Sequence, residues 1–492
     1  MVYRFLSSLT VFVLIFVIGN GCVPKTTEGQ QKRSKDAGPL SMQVDALIAA
    51  VSSAPPEFSA DLLIRIAGSK VVSDKHKRIE LLEDAFRRSS DAQQKLRRRV
   101  WAGPVDTRSG YLSAAYELRL DALSLESRVI KAMVALDAQR ARTLFSEIPK
   151  LKLPSLSCSD ALGYDVSEFY QALQAVEEKS FSIEERKQGE NGRFVQSYID
   201  DVVSPAQVGP VVNLIADLRV PPPELNLFIS SLSARLKNIP EDPRSYALSM
   251  RHGNVVSGFE RLVNKCKENN VPTSELLSSF RSYMISELSS VQCSDALISQ
   301  TQKDQKDDDI AYVSKWFNVP IRYEDVKPAK VDPAAESAPF WTSPDSARLL
   351  MKVKALRFGT KRTALSVEER SSLEWQQNFL EVLSDLEGWD SASEKTESDY
   401  FHQKGNLYGA LFDLSPTDES RVRVLLSFAS YLRNTAMQER SRIEWLLHAN
   451  YLLDKMGKID ILYRSKMLDI FKNSGNSTLQ SYAGLNDLLS VN

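Results

Sequence analysis

The spacing of apolar residues constrains this chain most. From Met42 onward they recur three or four apart, as in Leu62, Leu63 and Ile66, and this period gives a helix one apolar face. No run alternates as a half-buried strand does. Glycine is also scarce, with 20 in 492 residues against a usual share of about 7%, and helix interiors disfavour glycine by about 1 kcal/mol relative to alanine. The sequence therefore predicts an all-α protein.

Capping residues indicate where the helices begin. Ser204-Pro205, Ser343-Pro344 and Ser415-Pro416 each place a hydroxyl before a proline, which is a preferred combination at a helix N-terminus. Three further pairs have the spacing of a capping box, namely Ser182 with Glu185, Ser366 with Glu369, and Asp165 with Glu168. We therefore expect many short helices packed side by side.

Composition divides the helical pattern into two blocks. Residues 299–339 are first polar and then rich in proline, with four prolines in the 20 residues from Pro320 to Pro339. A continuous helix cannot form there, because proline breaks the helical hydrogen-bond ladder. We interpret 299–339 as a linker or surface strap between a helical block at 41–298 and a second one at 340–492.

One segment of the first block resembles a known repeat. Residues 141–145 (ARTLF) are similar to part of the second helix of a tetratricopeptide repeat. The first-helix pattern of that family, with Trp, Leu-Gly and Tyr, is missing. The resemblance implies an irregular α-solenoid, or an array of helical hairpins, in which the repeats are not regular.

The N-terminus carries the clearest functional signal. Arg4 precedes Phe5–Ile18, an uncharged and mostly apolar run of 14 residues, which is shorter than the about 20 residues that span a bilayer. The run ends at Gly19-Asn20-Gly21-Cys22, where the small residues at −3 and −1 suit a peptidase that cuts before Cys22. Residues 1–21 are therefore predicted to be a signal peptide for export.

The Gly-Cys end of this signal resembles the lipobox of bacterial lipoproteins. In that family the cysteine becomes the lipidated first residue, so the resemblance implies that Cys22 anchors the chain to a membrane of the bacterial cell envelope. The family usually has Leu at −3 and Ala or Ser at −2, where this chain has Gly19 and Asn20. Secretion after the same cut and an uncleaved membrane anchor are the alternatives. Residues 22–40 are mostly polar and predict a flexible tether.

Three further cysteines raise the question of a disulfide, which an exported chain can keep. Cys158 and Cys293 each begin the pentapeptide CSDAL, just before a predicted helix start. We predict that these two pair and join the ends of the first block, which is worth about 5 kcal/mol on the chain-entropy model. The alternative is three independent buried thiols. Cys266 is expected to be a buried helix residue.

No local motif predicts a catalytic residue, a metal site or a cofactor. The four histidines, His76, His252, His402 and His448, lie on separate segments without a second ligand at zinc-site spacing, and we expect structural or exposed roles for them. The sequence contains no phosphate-binding glycine loop and no nucleophile elbow. Asp307-Asp308-Asp309 lacks the alternate spacing of a calcium loop and is interpreted as helix capping.

A basic stretch covers residues 74–99, with nine positive and five negative side chains. Such a surface can attract an acidic partner. The acidic residues are interleaved at ion-pair spacing, however, which favours a solvated helix face. Binding of nucleic acid is not expected for an exported protein.

An enzyme acting on envelope polysaccharide is the alternative function. Lytic transglycosylases carry a glutamate in a Glu-Ser pair, followed by a Gly-Leu-Met-Gln segment. Here Glu419-Ser420 precedes Ala436-Met437-Gln438 without the Gly-Leu, and a carboxylate at Glu419 is expected anyway in a first helical turn. We therefore favour a non-enzymatic, membrane-anchored lipoprotein that acts as a helical scaffold for other envelope proteins.

Overall fold

The fold is all-α, as predicted. The computed structural model describes residues 39–100, 115–154, 162–240, 255–289, 292–293, 311–312, 314–322, 331–332, 343–361, 363–390, 397–435 and 442–490. Twenty α-helices and two small sheets lie within these ranges. None of the described helices is long and apolar enough to cross a membrane.

Twelve of the described helices lie within residues 39–289, and we refer to them as the first block. They are α1 (Pro39–Val51), α2 (Pro56–Gly68), α3 (Lys75–Ser89), α4 (Ala122–Val134), α5 (Ala138–Glu147), α6 (Ser167–Ser180), α7 (Ile183–Lys187), α8 (Glu190–Asp200), α9 (Pro205–Asp217), α10 (Pro222–Leu236), α11 (Val255–Glu268) and α12 (Ser274–Ser289). Several of them pack on the helix after next, including α4 on α6, α9 on α11 and α10 on α12. Helices that are close in the sequence are therefore also neighbours in the packing, as in an array of helical hairpins.

The remaining eight helices lie after residue 343. They are α13 (Pro344–Phe358), α14 (Val367–Arg370), α15 (Leu373–Gly388), α16 (Glu397–Leu414), α17 (Asp418–Asn434), α18 (Arg442–Met456), α19 (Ile461–Lys472) and α20 (Ser477–Ser490). Helix α16 contacts α13, α15, α17 and α18. It is thus the central helix of this group.

Two short strand pairs accompany the helices. Strand β1 (Arg98–Val100) pairs antiparallel with β2 (Leu162–Tyr164), with Arg98 opposite Tyr164. Strand β3 (Gln292–Cys293) pairs in parallel with β4 (Val331–Asp332). Neither pair was predicted, because strands of two or three residues are too short to show an alternating pattern.

The last helix of the chain packs against the first two. Helix α20 contacts α1 and α2, and the ring of Phe58 on α2 meets Trp445 and Tyr482 edge to face, at centroid distances of 5.8 and 5.5 Å. The Tyr482 hydroxyl donates to Asp61 Oδ2 at 2.5 Å. One apolar core runs from Val44 to Leu488. The C-terminal helices therefore lie beside the start of the first block.

Four of the predicted helix starts are confirmed. Ser204 and Ser343 each precede a proline in the first turn of a helix, and each accepts a hydrogen bond from a main-chain N–H of that turn. The capping boxes of Ser182 with Glu185 and of Ser366 with Glu369 are both complete. In each box the serine hydroxyl accepts a hydrogen bond from the main-chain N–H of the glutamate, and the glutamate carboxylate accepts one from the main-chain N–H of the serine.

The start predicted at Ser415-Pro416 is wrong. Helix α17 begins at Asp418 with Thr417 as its cap. Ser415 instead ends the preceding helix, since its hydroxyl donates to the Leu411 carbonyl at 2.9 Å. A serine can bond a carbonyl four residues earlier as well as cap the next helix, and here the first of these prevails.

The capping box predicted for Asp165 and Glu168 is also wrong. Asp165 accepts from the main-chain N–H of Ser167 at 3.0 Å. Glu168 does not return to the helix start but forms ion pairs with Arg119, at 2.5 Å, and with Lys131. Because both partners come from distant segments, a tertiary contact has replaced the local one.

Candidate functional site

The predicted lipidation and disulfide stay predictions. Cys22 and Cys158 lie outside the described residues, and Cys293 is described only as the backbone of β3. Cys266 is buried in α11 as a free thiol, as predicted. Burial raises the pKa of this thiol to about 11, and a protonated, enclosed thiol is not reactive.

The other chemical candidates are dispersed. His76 is exposed at the start of α3 and His448 is buried in α18, whereas His252 and the side chain of His402 lie outside the described residues. Glu419 is exposed in the first turn of α17. Residues 307–309 and 436–438 also lie outside the described part of the chain. Within that part, no group of three or more His, Cys, Asp or Glu side chains could hold a metal ion.

The basic stretch is less solvated than predicted. Arg97 is only 3% exposed, and its guanidinium lies 2.5 Å from Glu117 and 3.4 Å from Asp165. Arg78 donates to the Ala67 carbonyl at 2.6 Å. The interpretation as a solvated face is therefore wrong for these residues, whose partners come from other segments and leave no mark in the local sequence.

The candidate functional site is a pocket of about 740 Å³ along α16, which we call the α16 pocket. It lies between α13, α16 and α18, and the segment at Ala364, Leu365 and Arg370 adds to its wall. This volume lies within the about 300–1,000 Å³ that is usual for small-molecule sites. The apolar part of its wall comes from Leu350, Val353, Phe358, Leu365, Ala410, Leu414 and Leu447.

Two glycines of α16 bring α18 close to the pocket. A Cβ at Gly405 would overlap the imidazole of His448, and one at Gly409 would lie 2.9 Å from the Tyr451 hydroxyl. At position 405 only glycine leaves room for the His448 ring, whereas a Cβ at 409 would displace the Tyr451 hydroxyl. Gly405 therefore allows α18 to approach α16 closely.

His448 contributes a neutral imidazole to the wall. Its Nε2 lies 2.6 Å from the Phe401 carbonyl oxygen, and since a carbonyl only accepts, Nε2 carries the proton. Burial lowers the pKa of His448 to about 4. The ring is therefore uncharged near neutral pH and adds no cation to the interior.

The rim of the α16 pocket is positively charged. Lys354 and Arg357 are exposed, and neither has a carboxylate partner among the described residues. Asp413, also at the pocket, lies 3.6 Å from Lys455 Nζ. Arg370 donates to the Leu414 carbonyl at 2.9 Å. The rim thus offers positive charge that carboxylates of the described chain leave unneutralised.

A buried lysine lies near a second pocket of about 660 Å³. Lys404 donates to the Trp389 carbonyl at 2.6 Å and to the Tyr400 hydroxyl at 3.0 Å. Burial lowers its pKa to about 8. Because the Trp389 carbonyl lies just after the end of α15, the ammonium satisfies a helix C-terminus.

The α16 pocket was not predicted from the sequence. The available signal was Gly405 and Gly409, one helical turn apart in a chain that is poor in glycine. No protein-family model matches this chain, and no curated protein matches it. Its function is therefore inferred from its own residues and their geometry.

Proposed function

We propose that this chain is an exported bacterial lipoprotein, anchored through Cys22, whose all-α body is a scaffold for other proteins of the cell envelope. The observation that carries the proposal is the N-terminal sequence, in which an apolar run of 14 residues ends directly before Gly19-Asn20-Gly21-Cys22. The run is too short to span a bilayer and has the arrangement of a cleaved signal.

The position of α1 is compatible with such an anchor. Helix α1 begins at Pro39 and packs against α20. The 17 residues from Cys22 to Gly38 reach at most about 60 Å when fully extended. The contact between the first and last helices would then lie within about that distance of the membrane, and the rest of the body would extend from there.

A pair of exposed apolar residues supports the scaffold role. Ile461 and Leu462 form the start of α19 and are 80% and 75% exposed. Large apolar side chains that stand in water next to each other stabilise a complex when a partner covers them. We propose that this turn of α19 contacts an envelope protein.

Metabolic labelling with palmitate tests the anchor. We expect label on the wild-type chain, no label on Cys22→Ala, and full label on Cys266→Ala, which removes a buried thiol instead. An unlabelled wild-type chain, or equal labelling of Cys22→Ala, would overturn the lipid anchor.

Photo-cross-linking in cells tests the scaffold role separately. A photoreactive residue at position 461 should yield an adduct with another envelope protein, whereas one at Lys466, an exposed position of the same helix, should not. If neither position gives an adduct, or if both give the same one, α19 is not the contact surface proposed.

A further inference from the structure

We propose that the α16 pocket binds one long-chain fatty acid, with the acyl chain inside and the carboxylate at the rim. Binding of a small amphiphile is separate from the scaffold role and does not depend on the lipid anchor at Cys22. Three features of the pocket carry the inference, namely its apolar wall, its neutral interior and its positive rim.

The interior suits an acyl chain. Helix α13 contributes Leu350, Val353 and Phe358, while α16 and α18 contribute Ala410 and Leu447. Transfer of apolar surface from water to such a wall is favourable by about 25 cal/mol per Å². The apolar part of the wall therefore favours a ligand with a hydrocarbon chain.

The two ionisable side chains of the interior, His448 and Tyr451, are uncharged near neutral pH and therefore do not favour a charged ligand there. His448 is neutral because burial lowers its pKa to about 4, and its Nε2 proton is already donated to Phe401. Burial also raises the pKa of Tyr451, so that its phenol keeps its proton. An ionised group placed beside them would lose its hydration without gaining a counter-ion.

The rim, by contrast, suits an anion. Lys354 and Arg357 lie one turn apart on α13, both exposed, and no carboxylate of the described residues pairs with either. Arg370 adds a third positive charge, and Asp413 is near Lys455. A carboxylate at the mouth would meet this charge while remaining partly hydrated.

The volume favours a single chain. At about 30 Å³ per non-hydrogen atom, which is the share of a water molecule in the liquid, a fatty acid of about 18 such atoms needs about 540 Å³ and a lipid with two chains needs about twice as much. The pocket holds about 740 Å³. A single chain matches that volume more closely than two chains do.

Native mass spectrometry of the full chain tests the ligand class. The protein is kept in an uncharged maltoside detergent at one concentration, and palmitate, hexadecanol or a diacyl phosphatidate is added. We expect one palmitate per chain, bound at least about tenfold more tightly than hexadecanol, which has the same chain without the charge. Equal binding of hexadecanol would overturn the role of the rim, and equal binding of phosphatidate would overturn the single-chain fit.

Substitutions locate the site. Ala410→Leu extends a wall residue into the pocket and should weaken palmitate binding at least tenfold, to about the level of background. Ala355→Leu makes the same change at an exposed position of α13 that does not line the pocket, and should bind as the wild type does. Unchanged binding by a folded Ala410→Leu variant, judged by circular dichroism, would overturn the proposal.

A surface variant keeps the test informative if Ala410→Leu fails to fold. Replacing Lys354 and Arg357 together by Gln should weaken palmitate binding about tenfold and leave hexadecanol binding unchanged, as expected for two exposed charge contacts. The matched control replaces Arg423 and Lys466 by Gln. Both are exposed cations away from the pocket, and this variant should bind both ligands as the wild type does. Equal losses in the two double variants would show that palmitate responds only to overall charge.

Discussion

The two helical blocks differ in the buried carboxylates that they contain. Within the described residues, all the buried carboxylates lie in the first block: Glu57, Asp61, Asp121, Glu126, Glu168, Glu177 and Glu287. The described C-terminal helices bury the bases Lys404 and His448, and the first block buries one base, Arg97. Asp61 and Glu168 pair with arginine or lysine side chains, whereas Lys404 and His448 donate to main-chain carbonyls.

The two blocks therefore depend on different side-chain interactions for their stability, namely buried ion pairs in the first block and hydrogen bonds to main-chain carbonyls in the C-terminal helices. Asp61 is paired both within α2, to Arg65, and across helices, to Arg128 on α4. Loss of a partner of such a buried pair leaves a charge without compensation. In the C-terminal helices, the buried indoles of Trp375 and Trp445 donate to carbonyls in the last turns of α13 and α17, those of Leu356 and Leu432, at 2.8 and 3.1 Å. Such carbonyls lack partners within their own helix, so each donor stabilises the end of a neighbouring helix.

Replacing Asp61 should have the largest effect. This carboxylate is 1% exposed and lies 2.5 Å from Arg128, 2.9 Å from Arg65 and 2.5 Å from the Tyr482 hydroxyl. Burial opposes its ionisation, but the two guanidinium groups hold the pKa of Asp61 below its ordinary value. Asp61→Ala strands these partners and should lower the free energy of unfolding in denaturant by about 3–5 kcal/mol.

The matched control for that variant is Asp45→Ala, an exposed carboxylate on α1. Its free energy of unfolding should stay within about 0.5 kcal/mol of the wild type. Similar values for the two variants would show that the buried carboxylates of the first block are not the source of its sensitivity.

The C-terminal helices should lose stability in mild acid through His448. Its folded-state pKa of about 4 lies below the ordinary value, so between about pH 6.5 and 4 the unfolded chain takes up a proton that the folded chain does not. The free energy of unfolding should therefore fall by about 3 kcal/mol as the pH falls through this window. His448→Gln, unfolded in denaturant across the same pH range, should lack this contribution, and an unchanged pH dependence would contradict the account.

Glu126 should respond to pH in the opposite direction. Burial, and then the nearby Asp121, raise its pKa to about 7. Between about pH 4.5 and 7 the folded chain therefore holds a proton that the unfolded chain has lost, so the free energy of unfolding falls as the pH rises. Above pH 7, Glu126→Gln should be about 2 kcal/mol more stable than the wild type.

Thermal and denaturant unfolding at pH 8 measure this gain. Glu268→Gln, which changes an exposed glutamate of the same block, should leave stability within about 0.5 kcal/mol of the wild type. If Glu126→Gln is less stable than the wild type at pH 8, the carboxyl of Glu126 makes a favourable contact in its charged form.

The sequence predicts local features of this molecule better than distant ones. The capping boxes at Ser182 and Ser366 could be predicted because both partners of each box lie within one turn. The contact of Asp61 with Tyr482 joins residues 421 apart, so no window of sequence contains it. Glu168 shows the limit most clearly, because its local spacing predicts a cap and its distant partners, Arg119 and Lys131, prevail.

The same limit explains why the candidate site was missed. Gly405 and Gly409 are visible as a pair in the sequence, but the side chains that they admit come from α18, about forty residues later. The charge of the rim depends on which cations of α13 lack a partner, and that is settled only by packing. Fold class therefore follows from periodicity, whereas the pocket requires three-dimensional contacts.

The central functional claim is tested most directly by the mass of the N-terminal peptide of the protein isolated from membranes. We predict a peptide that begins at Cys22 and carries the added mass of acyl chains. A peptide that begins at Cys22 without added mass would mean plain secretion, and one that still contains residues 1–21 would mean an uncleaved anchor. Either result would contradict the proposed lipoprotein.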